Sequence, residues 1–451
     1  MGELTIESSS MTTDVGIISV PKLHVDARRL APMSTVALSE PEVLASAKAR
    51  LFPESNESRT YAVCDTQFGQ EEWLSGDQIS QTIRDQLAPF NHVRIGNGYP
   101  DRVGVRKLEN EFLAIDRVDE TNPPLVAVEA KGYTAGGTVD VERGIVQAHD
   151  RLGEANAAFV AVPATAVTQS NRSLARDLNV GVLAVEEETV TVYEQPRVVG
   201  NSAGESARAI RFQASAQGVT DQSFGLNHPK NYLGYPLALY TDGDTASLLN
   251  EYDVVGATND SRRGSAFLGL TEEKTAGPRL TPLGEEVVRF AIERCGSVTE
   301  ALSEFADWYR SQIRFTDLAP AWGLLARRVV WAYPATPLLM EELQKLHEDG
   351  NTAPSLVEFV THLHHSHPTF AVELFIRGSE SVRTRTLDAD GSLQASVLAD
   401  GNVYHSPTVF QLKAMLYHVG LLTQRGSEPS KLDPTTDVWR LRHPVVEPYS
   451  K

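Results

Sequence analysis

The stretch Leu125-Val-Ala-Val-Glu-Ala-Lys-Gly132 ends an apolar run with a carboxylate at Glu129 and an amine at Lys131. Residues two apart on a strand project from the same face, so the pair should stand together at the end of a buried strand. A buried carboxylate is costly unless it is paired or bound to a metal. A hard divalent cation such as Mg²⁺ takes a few oxygen ligands and keeps positions open for water and phosphate. A lysine beside that metal orients or activates the attacking water and stabilises negative charge developing on a phosphate. Two aspartates could complete the metal site. Asp101 opens a strand-like run after Tyr99-Pro100, and Asp116 comes nearly opposite Glu129 across the Thr121-Asn-Pro-Pro124 turn. Asp101 is favoured, because it starts its strand after a glycine-rich loop (Gly96, Gly98). Downstream, Gln147 and Arg151 are four apart on a predicted helix and share one face.

These residues need a scaffold. Asp77 to Ala88 carries Ile79, Ile83 and Leu87 on one helical face, with Asp77 near its N-terminus. Strand-like runs follow at Asp101–Val105, Phe112–Ile115 and Leu125–Val128. Val139 to Asn156 has an apolar stripe of Val141, Ile145, Ala148 and Leu152, which predicts a helix. Ala158–Val162 and Val180–Val185 read as strands flanking a short helix over Asn171–Leu178. A meander followed by strands alternating with helices predicts an α/β fold: a mixed sheet with helices on both faces. The last two strands are continuous apolar runs, as buried parallel strands require.

The set Pro100-Asp101, Glu129-Ala-Lys131, and Gln147 with Arg151 resembles the PD-(D/E)xK nuclease family, whose restriction-endonuclease-like core has the same element order. The resemblance covers roughly residues 70 to 190. It implies a Mg²⁺- or Mn²⁺-dependent phosphodiester hydrolase, most often a DNA endonuclease. Asp101 and Glu129 would then hold the metal, Lys131 would assist the nucleophilic water, and Gln147 would sit beside the site. Asp116 gives a shorter gap to Glu129 but lacks the preceding proline. Many members carry an acidic residue on the first helix, and Asp85 is the candidate here.

The expected organisation is an N-terminal extension over 1–57, with a short helix at Pro41–Leu51, and a nuclease-like domain over 58–197. A polar linker would cover 198–228. The remainder is mainly helical and reads as two winged-helix-like domains, 229–330 and 331–451. In the first, Ser261–Leu270 would be the recognition segment, with Arg262 and Arg263 reaching phosphates or guanine edges. In the second, Pro407–Leu422 would be the late helix, bearing Lys413. Asp437–Leu441 would be a wing strand with Arg440 near its end. Arg151, Arg262, Arg263, Lys413 and Arg440 are therefore the expected DNA contacts.

Composition bounds the alternatives. The 451 residues carry 41 Lys plus Arg against 59 Asp plus Glu, a net charge of −18. Neither half is basic: residues 229–451 hold 21 basic and 28 acidic side chains. Only 10 of the 41 cations are Lys. Such an acid-rich, Lys-poor chain resembles proteins of salt-in halophiles, whereas a high-GC genome would give the same Arg bias without the acidity; on the halophile reading the acidity would be a solvent adaptation, and activity should persist or rise at high salt. No apolar run reaches eighteen residues, and the N-terminus lacks the pattern of a signal peptide, so a cytoplasmic protein without membrane contact is expected. Cys64 and Cys295 are too few for a disulfide framework. Phosphate-binding glycine motifs are absent, which argues against an ATPase or dinucleotide enzyme. His362, His364, His365 and His367 cluster without a further ligand and read as a polar helix end. The leading expectation is a metal-dependent endonuclease acting on double-stranded DNA, for which a homodimer would suit cutting both strands. The alternatives are a non-catalytic DNA-binding regulator and a protein-assembly subunit with a degenerate nuclease fold.

Overall fold

The computed structural model describes residues 37–53, 61–72, 78–114, 123–187, 189–199, 224–275, 277–308, 312–388, 391–405 and 407–445. These described residues pack as one compact unit.

The sheet has six strands in sequence order: β1 (Tyr61–Cys64), β2 (Arg102–Val105), β3 (Leu125–Ala130), β4 (Ala157–Pro163), β5 (Gly181–Val185) and β6 (Val190–Glu194). The first three form an antiparallel meander, β3 to β5 are parallel, and β6 returns antiparallel. All residues of β3, β4 and β5 are buried, which explains their unbroken apolar runs.

Helices cover both faces. On one lies α1 (Glu40–Leu51), whose Leu44 and Leu51 are fully buried with Val126, Val128 and Phe159 of the sheet. Burying one such leucine stabilises by about 1.5–3 kcal/mol. The sheet's core therefore extends N-terminally past residue 58 to take in α1. A short helix, α2 (Gln81–Leu87), follows β1 on the same side, with Ser80 Oγ accepting from Ile83 N at its start. On the opposite face α3 (Val141–Arg151) sets Val141, Ile145 and Ala148 against Ala158, Val160 and Val162. Asp140 caps α3, its Oδ1 accepting from Arg143 N at 3.1 Å. The next crossover carries α4 (Gln169–Asp177).

The meander differs from the expected one in its members. Phe112 and Leu113 are buried but form a turn, not a strand. Phe112 fills the core beneath the Arg50 guanidinium, and Ala114 N donates to Pro196 O. Its apolar character reflects packing, not strand pairing. The third strand is instead β1, a four-residue segment too short to show a clear alternation. Asp77 and Asp116 lie outside the described residues, as does most of the expected linker.

In the helical half, α5 (Pro229–Tyr240), α6 (Thr245–Glu251) and α7 (Thr258–Phe267) precede a hairpin of β7 (Thr271–Lys274) and β8 (Gly277–Leu280), then α8 (Pro282–Cys295). Later helices include α9 (Pro320–Trp331), α10 (Ala335–Glu348), α11 (Leu356–Ser366), α12 (Pro368–Phe375) and α13 (Lys413–His418). One contiguous core runs from Phe224 to Trp439 through both expected winged-helix regions. The expected wing strand at Asp437–Leu441 does not form. Val438 and Leu441 make only isolated bridges, to Ser355 and Leu422, because Trp439 is drawn into the core against Phe359 and Phe375.

The loop after α2 joins the sheet to this half. His92 N donates to Ser366 O at 2.8 Å, Phe370 N to Asn91 Oδ1 at 3.0 Å, and Thr369 Oγ1 to Phe90 O at 2.9 Å. Beside this seam opens a cleft of about 580 Å³, lined in part by Thr66, Arg84, Phe90, His365 and Thr369. No helix among the described residues is long and apolar enough to cross a membrane.

Candidate active site

The strand register assembles the site. Cys64 on β1 opposes Arg102 on β2, and Arg102 opposes Val128 on β3. One step further along the strands, Asp65, Asp101 and Glu129 fall in a row across three adjacent strands. Residues directly opposite in antiparallel pairs share a face, with Cα atoms roughly 4.5–5.5 Å apart. Asp65 N donates to Asp101 O at 3.0 Å, which carries the ladder into this row. Lys131, two residues past Glu129, belongs to the same face.

Asp101 is buried; its Oδ2 accepts from Ala130 N at 2.7 Å and lies 3.9 Å from Lys131 Nζ. The ammonium also donates to Ala130 O at 2.7 Å and stands 3.6 Å from Glu40 Oε1. Gly144 on α3 makes room for the lysine stem, since a Cβ there would meet Lys131 Cγ at 2.9 Å. Gly132 lets the end of β3 meet the start of α1, where a Cβ would fall 2.1 Å from Glu40 N. That close approach brings Glu40 to the site.

Glu129 is only 2 % exposed, and Arg151 Nε donates to its Oε1 at 2.7 Å. Arg151 is itself buried and gives further hydrogen bonds to the carbonyls of Ile95 and Tyr99. Its expected role as a DNA contact is thereby corrected: the helix period gives the face it occupies, but that face is covered. Gln147, one turn earlier, is half-buried, and its buried Oε1 has no hydrogen-bond partner among the described residues.

Three carboxylates, Glu40, Asp101 and Glu129, thus crowd against two cations, Lys131 and Arg151. Burial, and then repulsion from Asp101, push the carboxyls of Glu40 and Glu129 up to about 7. Asp101 is raised too, chiefly by burial, with Lys131 and the Ala130 N–H acting against the shift. The arrangement is short of positive charge. No group of three or more His, Cys, Asp or Glu side chains among the described residues converges closely enough to hold a metal alone. The donors at hand are the Asp101 and Glu129 carboxylates, the Ala130 carbonyl, which also accepts from Lys131 Nζ, and solvent. This set of hard oxygens fits Mg²⁺ or Mn²⁺ better than softer ions.

The other expected site residues are dispersed. Lys413 is fully buried, 2.7 Å from Asp437 Oδ2, and cannot reach DNA. Arg440 is exposed. On α7 Arg263 is exposed and Arg262 half-buried, and they are paired with Asp260 and Glu273 respectively. Asp85 is exposed on α2, accepts from Gln81 Nε2 at 2.7 Å and faces the cleft. The helix carboxylate that stands beside Lys131 is Glu40 of α1, not Asp85. His362 and His367 bond the buried Glu342 carboxylate at 2.9 and 3.2 Å. With Lys345 they hold that carboxyl well below its usual range against the effect of burial.

Sequence reasoning missed Glu40 and Asp65, and with them Gln67, whose Nε2 lies 3.4 Å from Asp101 Oδ1, and His92, whose Nδ1 lies 2.7 Å from Asp65 Oδ2. The Ser39-Glu-Pro-Glu42 capping pattern is a visible signal for α1, but nothing in its spacing links Glu40 to β3. No protein-family model, curated protein or solved structure matches the chain.

Proposed function

We propose that the chain is a Mg²⁺- or Mn²⁺-dependent phosphodiester hydrolase acting on double-stranded DNA. The observation that carries this reading is the cluster of buried Asp101 and Glu129 with half-buried Lys131 where β2 begins and β3 ends, deficient in positive charge. Asp101, the free oxygen of Glu129 and the Ala130 carbonyl would hold the cation. When bound, such an ion supplies Lewis acidity toward water and the phosphate oxygens.

The remaining steps belong to side chains. Lys131 orients the attacking water and offsets charge gathering on the phosphate. Arg151 fixes the rotamer of Glu129 by holding one of its oxygens. Gln147 offers its buried, unpartnered amide oxygen to a water beside the site. Glu40 keeps the Lys131 ammonium close to Asp101.

For the helical half, the order of three helices and a hairpin from α5 to β8 supports a winged-helix reading, with α7 presenting Arg262 and Arg263 to DNA. Replacing both with Ala should weaken duplex binding and lower the slope of log K against log salt by about 1 for each phosphate no longer neutralised. An unchanged slope would move the interface elsewhere. A non-catalytic regulator or assembly subunit is the competing reading. It draws on the lack of a three-ligand cluster among the described residues and on the single helical core. Duplex cleavage assayed with Mg²⁺ or Mn²⁺, at low and molar salt, separates the two.

The carboxyl shifts make a second prediction. In the unfolded chain Glu40 and Glu129 ionise near 4.5, whereas in the fold they keep protons to about 7. Their contribution to stability is fully present below pH 4.5 and is lost as pH rises through about 7. Without metal, melting temperature should fall across this window. Mg²⁺ should raise it more at pH 8 than at pH 5.5, with protons released on binding. A metal effect independent of pH would contradict the site.

A further inference from the structure

Phosphodiester hydrolysis needs a proton for the oxygen that leaves, and none of Asp101, Glu129 and Lys131 has been given that task. We propose that His92, held by Asp65, is the general acid that protonates the leaving oxygen; this rests on the hydrolase reading above.

Asp65 is 4 % exposed and sits beside Asp101 in the cross-strand row. Both of its carboxylate oxygens are occupied, Oδ1 by Gln67 N at 3.1 Å and Oδ2 by His92 Nδ1 at 2.7 Å. A carboxylate on Nδ1 fixes the ring's orientation and leaves Nε2 to exchange a proton with substrate. Thr66 Oγ1 stands 3.2 and 3.0 Å from the two ring nitrogens and, being nearly equidistant, is aligned with neither lone-pair direction. The other titratable groups facing His92 are Tyr99, with ring centroids 4.7 Å apart, and His367, edge-on at 6.2 Å and tied to Glu342. The His92 side chain is 32 % exposed, so it is open to a ligand while its partner is not. The 3₁₀ turn that follows Asp65 also touches the site, since Gln67 Nε2 lies 3.4 Å from Asp101 Oδ1.

The order of the strands sets the geometry. By strand order Asp101, just before β2, lies between Lys131 on the β3 side and Asp65, which holds His92, on the β1 side. In-line displacement puts the entering and leaving oxygens on opposite sides of phosphorus. A phosphate over Asp101, attacked by water from the Lys131 side, has its leaving oxygen toward β1. A lone pair of the water oxygen forms the new O–P bond, and that water gives up one proton to solvent. The P–O bond to the leaving sugar breaks, and its electron pair stays on the sugar oxygen. That oxygen takes the Nε2 proton of protonated His92, and the neutral imidazole recovers a proton from solvent. Nothing is oxidised or reduced.

A purely structural His92 is the alternative, because its backbone N–H is part of the seam with Ser366. That bond survives side-chain substitution, so the two roles are separable. The test uses the full chain in single-turnover cleavage of a duplex whose cut position is first mapped. An ordinary duplex is compared with one carrying sulfur in place of the leaving bridging oxygen, since a thiolate leaves without a general acid. His92→Gln should slow the ordinary duplex by about 10²-fold or more and restore near wild-type rate on the sulfur duplex. Asp65→Asn should show a smaller loss with the same rescue. Melting curves check folding, and His92→Asn replaces the Gln variant if that one melts early. Equal losses on both substrates, or no loss, overturn the proposal while leaving the hydrolase reading intact. A wild-type chain that cuts neither substrate with Mg²⁺ or Mn²⁺ overturns the hydrolase reading, and this proposal with it.

Discussion

Glu129→Gln should abolish metal-dependent cleavage while leaving the chain folded, and at pH 8 somewhat more stable than wild type. The amide keeps the shape of the side chain but removes a charge that the metal needs. Lewis-acid stabilisation of phosphoryl transfer is worth several kcal/mol, and about 4 kcal/mol corresponds to roughly 10³ in rate. The gain in stability follows from the same burial that pushes the Glu129 carboxyl up to about 7, since a neutral amide escapes that cost. Single-turnover cleavage and urea denaturation on one preparation would show opposite signs. Wild-type activity in the variant would remove Glu129 from the mechanism. Running Asp101→Asn beside Asp116→Asn decides the second ligand, and only the Asp101 change should match the Glu129 effect.

Arg151→Leu should be the most destabilising single change at the site, by about 3–5 kcal/mol, because it strands a buried carboxylate without its partner. The side chain is 7 % exposed, and it also serves the carbonyls of Ile95 and Tyr99. The double variant Glu129→Gln with Arg151→Leu should recover part of the loss, giving a coupling energy of about 1–3 kcal/mol in a double-mutant cycle. A single-variant cost under about 1 kcal/mol would mean that the pair is solvated, as exposed ion pairs are. DNA affinity measured on the surviving folded fraction should not change, since the guanidinium faces inward.

What can be read from the sequence follows from the range of each signal. Periodicity marks β3, β4, β5 and α3, because their burial is continuous or strictly one-sided. The Glu129–Lys131 pair is legible because a period of two is local to one strand. Asp65 and His92 are not, since their place depends on β1 pairing with β2 across nearly forty residues of chain, and four residues of strand carry little pattern. Glu40 reaches the site through the close approach at Gly132, a tertiary feature that leaves no periodic trace. Arg151 and Lys413 show a related limit: a helical period assigns a face, but only the fold decides whether that face meets water. Trp439 has neighbouring arginines that suit a wing, yet the core claims it.

The single core from Phe224 to Trp439 bears on how such a chain can be inherited. Phe224 packs on Tyr333 with centroids 5.1 Å apart, and Arg327 Nε donates to Val419 O at 2.7 Å. Both contacts cross the point, near residue 330, where two portable modules would have been joined. A recombination event breaking there would bring together halves that had not evolved against each other, and each would expose apolar surface. A break near residue 330 would therefore disrupt the helical half rather than release a self-sufficient module.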